Sequence, residues 1–134
     1  MHGFDVNWLA VVLAALAKFA IGGVWYSPPV FGPRWGAIVG VSPEAFKARM
    51  LSAMLTDFVS SLVLAWILAN SLQFMGAIGL IPGMRTSFFL WLGFIATTLI
   101  STTVYEGRPL TLFWINAGYW LISMLVMGAV IGGL

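Results

Sequence analysis

Residues 8–29 read WLAVVLAALAKFAIGGVWYSPP, an apolar run from Trp8 to Tyr26 interrupted by one charge, Lys18, and ended by Pro28 and Pro29. A stretch of about 20 apolar residues is long enough to cross the hydrocarbon core of a bilayer as a helix. The two prolines stop it, because they lack the N–H that helix propagation needs. The segment resembles a secretory leader only superficially. No Lys or Arg precedes the apolar run, and Gly-Gly-Val-Trp-Tyr follows where a small-residue cleavage site would stand, so a retained helix is expected.

The whole chain has the same character. Of 134 residues, 61% are hydrophobic and 7% charged, against roughly 25% charged in an ordinary soluble domain. A water-soluble globule, a disordered segment and a nucleic-acid binder all need more charge than this. The net charge is +2, with no basic patch. The chain has no cysteine and one histidine, His2, so thiolate catalysis, thiolate zinc sites and imidazole-bound metal or haem are not expected. No cofactor and no metal site are expected.

Three further spans follow. Ser42 offers an N-cap, Pro43 suits the first helical position and Glu44 complements the positive helix end. A helix over 43–73 would measure about 46 Å, so its first turns, with Lys47 and Arg49, project beyond the hydrocarbon. Gly76, Gly79, Pro82 and Gly83 read as breakers, placing a third span at 86–104 opened by Arg85. Glu106-Gly107-Arg108 forms a polar turn, and Pro109 starts a fourth helix over 109–132. With 7–26 as the first span and 27–41, rich in Pro, Gly, Phe31 and Trp35, as an interfacial segment, the expectation is an all-α polytopic membrane protein. Its four transmembrane helices form one bundle and a single domain over 1–134. Arg34, Lys47, Arg49 and Arg108 fall on one side and Arg85 on the other, which orients both termini away from the cytoplasm.

Eight of the ten charged residues, Asp5 among them, sit at span ends or loops; Lys18 and Asp57 lie inside. Counted from the cytoplasmic ends, Lys18, Asp57, Thr97 and Asn116 all lie roughly 12 Å inward. A charge at depth costs about 2.5–3.5 kcal/mol on insertion scales, so Lys18 and Asp57 are expected to point inward and meet. Ala10, Ala14, Lys18 and Gly22 form a small-residue stripe that admits a neighbouring helix. Ser60 and Ser61 share a face with Asp57. Gly93, Thr97 and Ser101 form another stripe, with Thr98 beside it, and Asn116, Tyr119, Trp120 and Ser123 align on the fourth helix, which carries Gly128-x-x-x-Gly132 near its outer end. The pair serves either as a structural ion link or as a protonatable or ion-coordinating site. Glu106 and Arg108 flank the cytoplasmic mouth, as a turn-stabilising pair or a gate. Trp25-Tyr26 and Trp114 at one level, with Trp8 and Trp66 to Phe74 at the other, read as interfacial aromatic belts, and a stacking site for a quinone or aromatic solute is conceivable.

Asn7-Trp8, Gly23-Val24-Trp25-Tyr26-Ser27-Pro28, Phe31-Gly32, Trp35, Tyr105-Glu106-Gly107-Arg108-Pro109, Ile115-Asn116-Ala117-Gly118-Tyr119 and Met127-Gly128-Ala129 occur in that order. In this the chain resembles the bacterial family catalogued as domain of unknown function seventeen-sixty-one, over nearly its whole length. The resemblance implies a small four-helix integral protein of a bacterial inner membrane and brings no reaction, cofactor or substrate. Where members often carry His after the Asn-Ala-Gly-Tyr segment, this chain has Trp120. The expected activity is non-enzymatic: a homo-oligomer in the lipid bilayer whose polar level serves packing or the passage of a small solute, ion or proton. The alternative is an accessory or assembly subunit of a larger membrane complex. A membrane enzyme acting on lipid or quinone would have only Ser, Thr and the Asp–Lys pair to work with.

Overall fold

The computed structural model describes residues 6–134; His2 and Asp5 lie outside the described residues. Four helical stretches are long and apolar enough to cross a membrane: Trp8–Trp25, Pro43–Phe74, Leu80–Tyr105 and Leu110–Gly133. Helix α1 spans Trp8–Trp25, and the Asn7 side chain caps it by accepting the Leu9 and Ala10 N–H groups. After Tyr26 the chain turns sharply into a short helix α2, Gly32–Val39. Phe31 N–H donates to the Trp25 carbonyl at 3.0 Å. A Cβ on Gly32 would run into the Tyr26 carbonyl, so this turn requires glycine. Helix α3, Pro43–Phe74, starts as its sequence dictates, with the Ser42 hydroxyl accepting the Ala45 N–H at 3.1 Å.

The third span departs from expectation. It begins with α4 at Leu80, not Thr86, and continues through a π-helical segment, Trp91–Ala96, into α5, Thr97–Tyr105. Pro82 and Gly83 therefore sit in its first turn, where a proline removes no needed N–H, and Arg85 lies within the helix on its exposed side. The fourth span, α6, runs Leu110–Gly133 after Pro109.

Packing explains why Gly83 belongs to a helix. Helix α6 is the centre of the bundle: it packs most extensively on α4, then on α1, while α1 also packs on α3. A Cβ on Gly83 would overlap the Gly128 carbonyl, one on Gly128 the Ser87 hydroxyl and the Gly83 carbonyl, and one on Gly132 the Gly79 carbonyl. Gly79-x-x-x-Gly83-x-x-x-Ser87 and Gly128-x-x-x-Gly132 are thus two halves of one close backbone contact, the small-residue mode by which helices associate in lipid. On the other side of α6, Ala10, Val11, Ala14 and Ala15 of α1 are buried with Ala65, Leu68, Ala69 and Leu72 of α3 and with Met124 and Met127.

Two indoles fasten the rest. Trp25 Nε1 donates to the Ile115 carbonyl at 2.8 Å and Trp91 Nε1 to the Ala117 carbonyl at 3.1 Å, so α1 and the third span grip carbonyls two residues apart on α6. Trp25, read above as part of an interfacial belt, therefore packs inward, and Gly118 leaves room for its ring, which a Cβ there would meet at 3.0 Å. Trp8 and Trp114 do face outward.

Gly128→Leu should lower stability by about 2 kcal/mol or more through overpacking, read as a drop in melting temperature in detergent. Gly93→Ala, whose Cβ meets nothing within 4 Å, should leave it unchanged or slightly raised.

Candidate functional site

Lys18 lies two turns before the end of α1 on the Ala10–Ala14–Gly22 stripe, and it is 1% exposed. An ammonium so deeply buried must find acceptors, since neither water nor lipid can solvate it. Its Nζ donates to Asp57 Oδ1 at 3.3 Å and to Ser61 Oγ at 3.0 Å, both on α3. The Ser61 hydroxyl in turn donates to the Asp57 carbonyl at 2.7 Å, so the residue four after Asp57 completes the seat. From α6, the Tyr119 and Trp120 rings face the ammonium at 5.4 and 4.7 Å from their centroids. These distances lie within the range of cation–π attraction, and Trp gives the strongest form of it. Lys18 is therefore the point where α1, α3 and α6 converge.

The carboxylate partner is differently placed. The Lys18 side chain is 2% exposed, that of Asp57 44%. Asp57 opens onto a cleft of about 680 Å³ between the second half of α1, the first half of α3 and α6, with α2 at its rim. Phe19, Gly22 and Gly23 of α1 and Phe46, Met50 and Met54 of α3 form its sides. Lys18 does not line it. The ion pair thus presents its negative end to the cleft and keeps its positive end behind.

At the rim, the Tyr26 hydroxyl donates to Asn116 Oδ1 at 2.7 Å. Burial, and secondarily the neighbouring Tyr119, push the Tyr26 phenol above its usual range, so it stays protonated and remains a donor. The Tyr26 ring meets Tyr119 and Trp35 edge-on at 5.4 and 5.8 Å. Gly22 is what admits Tyr119, whose hydroxyl would lie 3.1 Å from a Cβ there. Asn116 and Asp57 share the cleft, but the bonds of Asn116 go to Tyr26 and not to Lys18.

The third span contributes nothing here. Thr97 and Thr98 face outward and donate back to the Gly93 and Phe94 carbonyls at 2.8 and 2.6 Å, a common use of hydroxyls within membrane helices. Ser101 also faces outward, as does Ser60 on α3. Thr97 is thus corrected from a member of the polar level to a surface residue, and Thr98, Ser101 and Ser60 are removed from its lining. The cause is twofold: the third span packs on α6 and scarcely touches α3, and the π segment breaks the spacing of four on which the Gly93–Thr97–Ser101 stripe was projected. Glu106 and Arg108 do not line the cleft either. Arg108 Nε lies 3.7 Å from Glu106 Oε1, and its Nη1 donates to the Ile38 carbonyl at 2.7 Å, a cation on the C-terminal end of α2.

Some functional groups carried weak sequence signals. Trp120 aligns with Asn116 on α6, which by itself does not point to Lys18. Tyr26 reads as an interfacial aromatic, and Phe46, Met50 and Met54 belong to no motif that singles them out. Ser123 is fully buried, and its hydroxyl has no hydrogen-bond partner among the described residues.

The unequal burial of the pair makes its two halves unequal under mutation. Asp57→Ala strands a buried ammonium and should approach the roughly 3 kcal/mol typical of a broken buried pair. Lys18→Met leaves a carboxylate that faces the cleft and should cost less, and Lys18→Met with Asp57→Leu should recover most of the loss. Denaturation of the three variants in detergent checks the order.

A search of the curated proteins and of the solved structures finds no match to the chain. One family model matches residues 9–132, the breadth of all four spans. The chain belongs to the family described as "Protein of unknown function (DUF1761)", here a four-helix membrane-type fold with a buried lysine at its centre.

Proposed function

We propose that the protein passes protons or a small solute across its membrane, with the Lys18–Asp57 pair at the floor of the cleft as the working element. The observation that carries this reading is the asymmetry of the pair: a fully buried ammonium joined to a carboxylate that an open cleft can reach. The charged group facing Asp57 is Lys18, and the phenols of Tyr26 and Tyr119 line the same cleft. Protonation of Asp57 cancels its attraction for Lys18, which retains Ser61 and two aromatic faces. The carboxylate can thus give up Lys18 to a guest from the cleft without leaving the ammonium unpartnered. Ser123, one turn beyond Tyr119 on α6, supplies a further buried hydroxyl with spare hydrogen-bonding capacity. The excess of Arg34, Lys47, Arg49 and Arg108 at the cleft end orients that end toward the cytoplasm. Four helices hardly enclose a pore, so passage takes place in an assembly of copies.

Vesicles holding the protein and an internal pH-sensitive dye should lose an imposed pH gradient at least about tenfold faster than empty ones. Asp57→Asn protein should match the empty vesicles. Equal rates for protein and empty vesicles, or for Asp57→Asn and the parent, would overturn the reading.

A second reading, an accessory or assembly subunit, has its own observation. From Pro43 to Thr56 every residue of α3 is exposed; Phe46, Met50 and Met54 border the cleft, while Leu51 and Leu55 are exposed outside its lining. Because the chain lacks cysteine, Leu51→Cys provides a unique probe. Labelled there with a maleimide photocrosslinker and irradiated in native membranes, the variant should give a product of twice the chain mass if a second copy packs there and a product of another mass if a different protein does. Phe94→Cys on the third span should stay monomeric, and absence of any crosslinked Leu51→Cys product overturns assembly through this face.

A further inference from the structure

Three features stand apart from the pair itself: the outward first half of α3, the unpartnered Ser87 and Ser123 hydroxyls, and the chemistry of the cleft walls. A proton or a bare ion needs only the carboxylate, yet the cleft measures about 680 Å³, within the range that holds an organic ligand. Its sides are aromatic and thioether groups, and among the residues that line it Asp57 is the one with a charge.

We infer that the cleft is a binding site for an organic cation, an apolar body bearing a quaternary or protonated nitrogen or an equivalent onium centre, seated against Asp57. This deepens the proposed function by naming the class of solute. The ion pair is a dipole whose negative end is outermost, since the Lys18 ammonium is withdrawn onto Ser61, Tyr119 and Trp120. A guest cation meets the carboxylate first and the ammonium only beyond it, so the nearer attraction prevails. The aromatic rings of Tyr26, Trp35 and Phe46 line the cleft, and aromatic walls favour a cation over an anion of the same size wherever a ring face is presented. Met50 and Met54 supply an adaptable apolar wall. Gly23 leaves the α1 side open: a Cβ there meets nothing within 4 Å.

The test is equilibrium binding to the purified full chain in detergent. Labelled tetraphenylphosphonium is the probe, with tetraphenylborate and neutral triphenylphosphine oxide as comparators of similar bulk. Saturable binding of the phosphonium alone is expected. Asp57→Asn should weaken it about a hundredfold, and Lys18→Met should tighten it roughly tenfold, because removing the competing ammonium leaves the carboxylate to the guest. A packing role for Asp57 would give no tightening in Lys18→Met. Gly23→Leu fills the cleft from a helical position with free space around it, so it should fold as the parent does and lose binding. An aminolipid presents the same chemistry, so phosphatidylethanolamine and dodecyltrimethylammonium are each titrated as competitors. Displacement by the soluble amphiphile alone identifies a free cation, and displacement by phosphatidylethanolamine an aminolipid. Equal binding of the borate, or phosphonium binding unchanged in both Asp57→Asn and Gly23→Leu, overturns the inference. Gradient loss in vesicles without saturable cation binding would leave the passage reading standing and this one fallen. Saturable, Asp57-dependent binding without any flux would do the reverse.

Discussion

The fold depends on one ammonium that has no access to water. Lys18 sits in the middle of the most apolar stretch of the chain, and its position forces three helices together. α3 must supply acceptors, α6 must supply aromatic faces, and α1 must lie between them with nothing larger than alanine or glycine on the same stripe. In hydrocarbon there is no hydrophobic force drawing helix to helix, so packing of small residues and satisfaction of polar groups decide which helices touch. Both are present here on different faces of α6: the lysine face toward α1 and α3, and the glycine face toward α4.

Much of this was legible in the sequence, for physical reasons. A charge in an apolar run is conspicuous, and helical periodicity places Ala10, Ala14 and Gly22 on the face of Lys18 and Ser61 on that of Asp57. Proline and capping residues mark the helix starts at Ser42 and Pro109. The four spans and the all-helical class follow from length and hydropathy alone.

What was not legible depended on partners that lie far away in the chain. Gly79, Pro82 and Gly83 have the composition of a loop, and only the facing Gly128 and Gly132 explain why they form a helix. Thr97 sits at the right height by residue count, but height along an axis does not say which way a side chain points. That direction is set by a π segment and by the choice of α6 as neighbour. Trp25 has the composition of a membrane-surface residue, yet its indole finds a carbonyl acceptor on α6 that the local sequence cannot reveal.

The two indole bonds to Ile115 and Ala117 also determine which parts of the molecule can yield. They fasten α1 and the third span to the same turn of α6, and the glycine contact joins α4 to its far end. α3 is held through Asp57, Ser61 and the residues after them, while its first fourteen positions, Pro43–Thr56, are exposed along their length and border the cleft with Phe46, Met50 and Met54. The deformation this anchoring permits is a cantilever-like bend of that exposed arm about the lysine. It would alter the width of the cavity mouth while leaving the rest of the scaffold undisturbed.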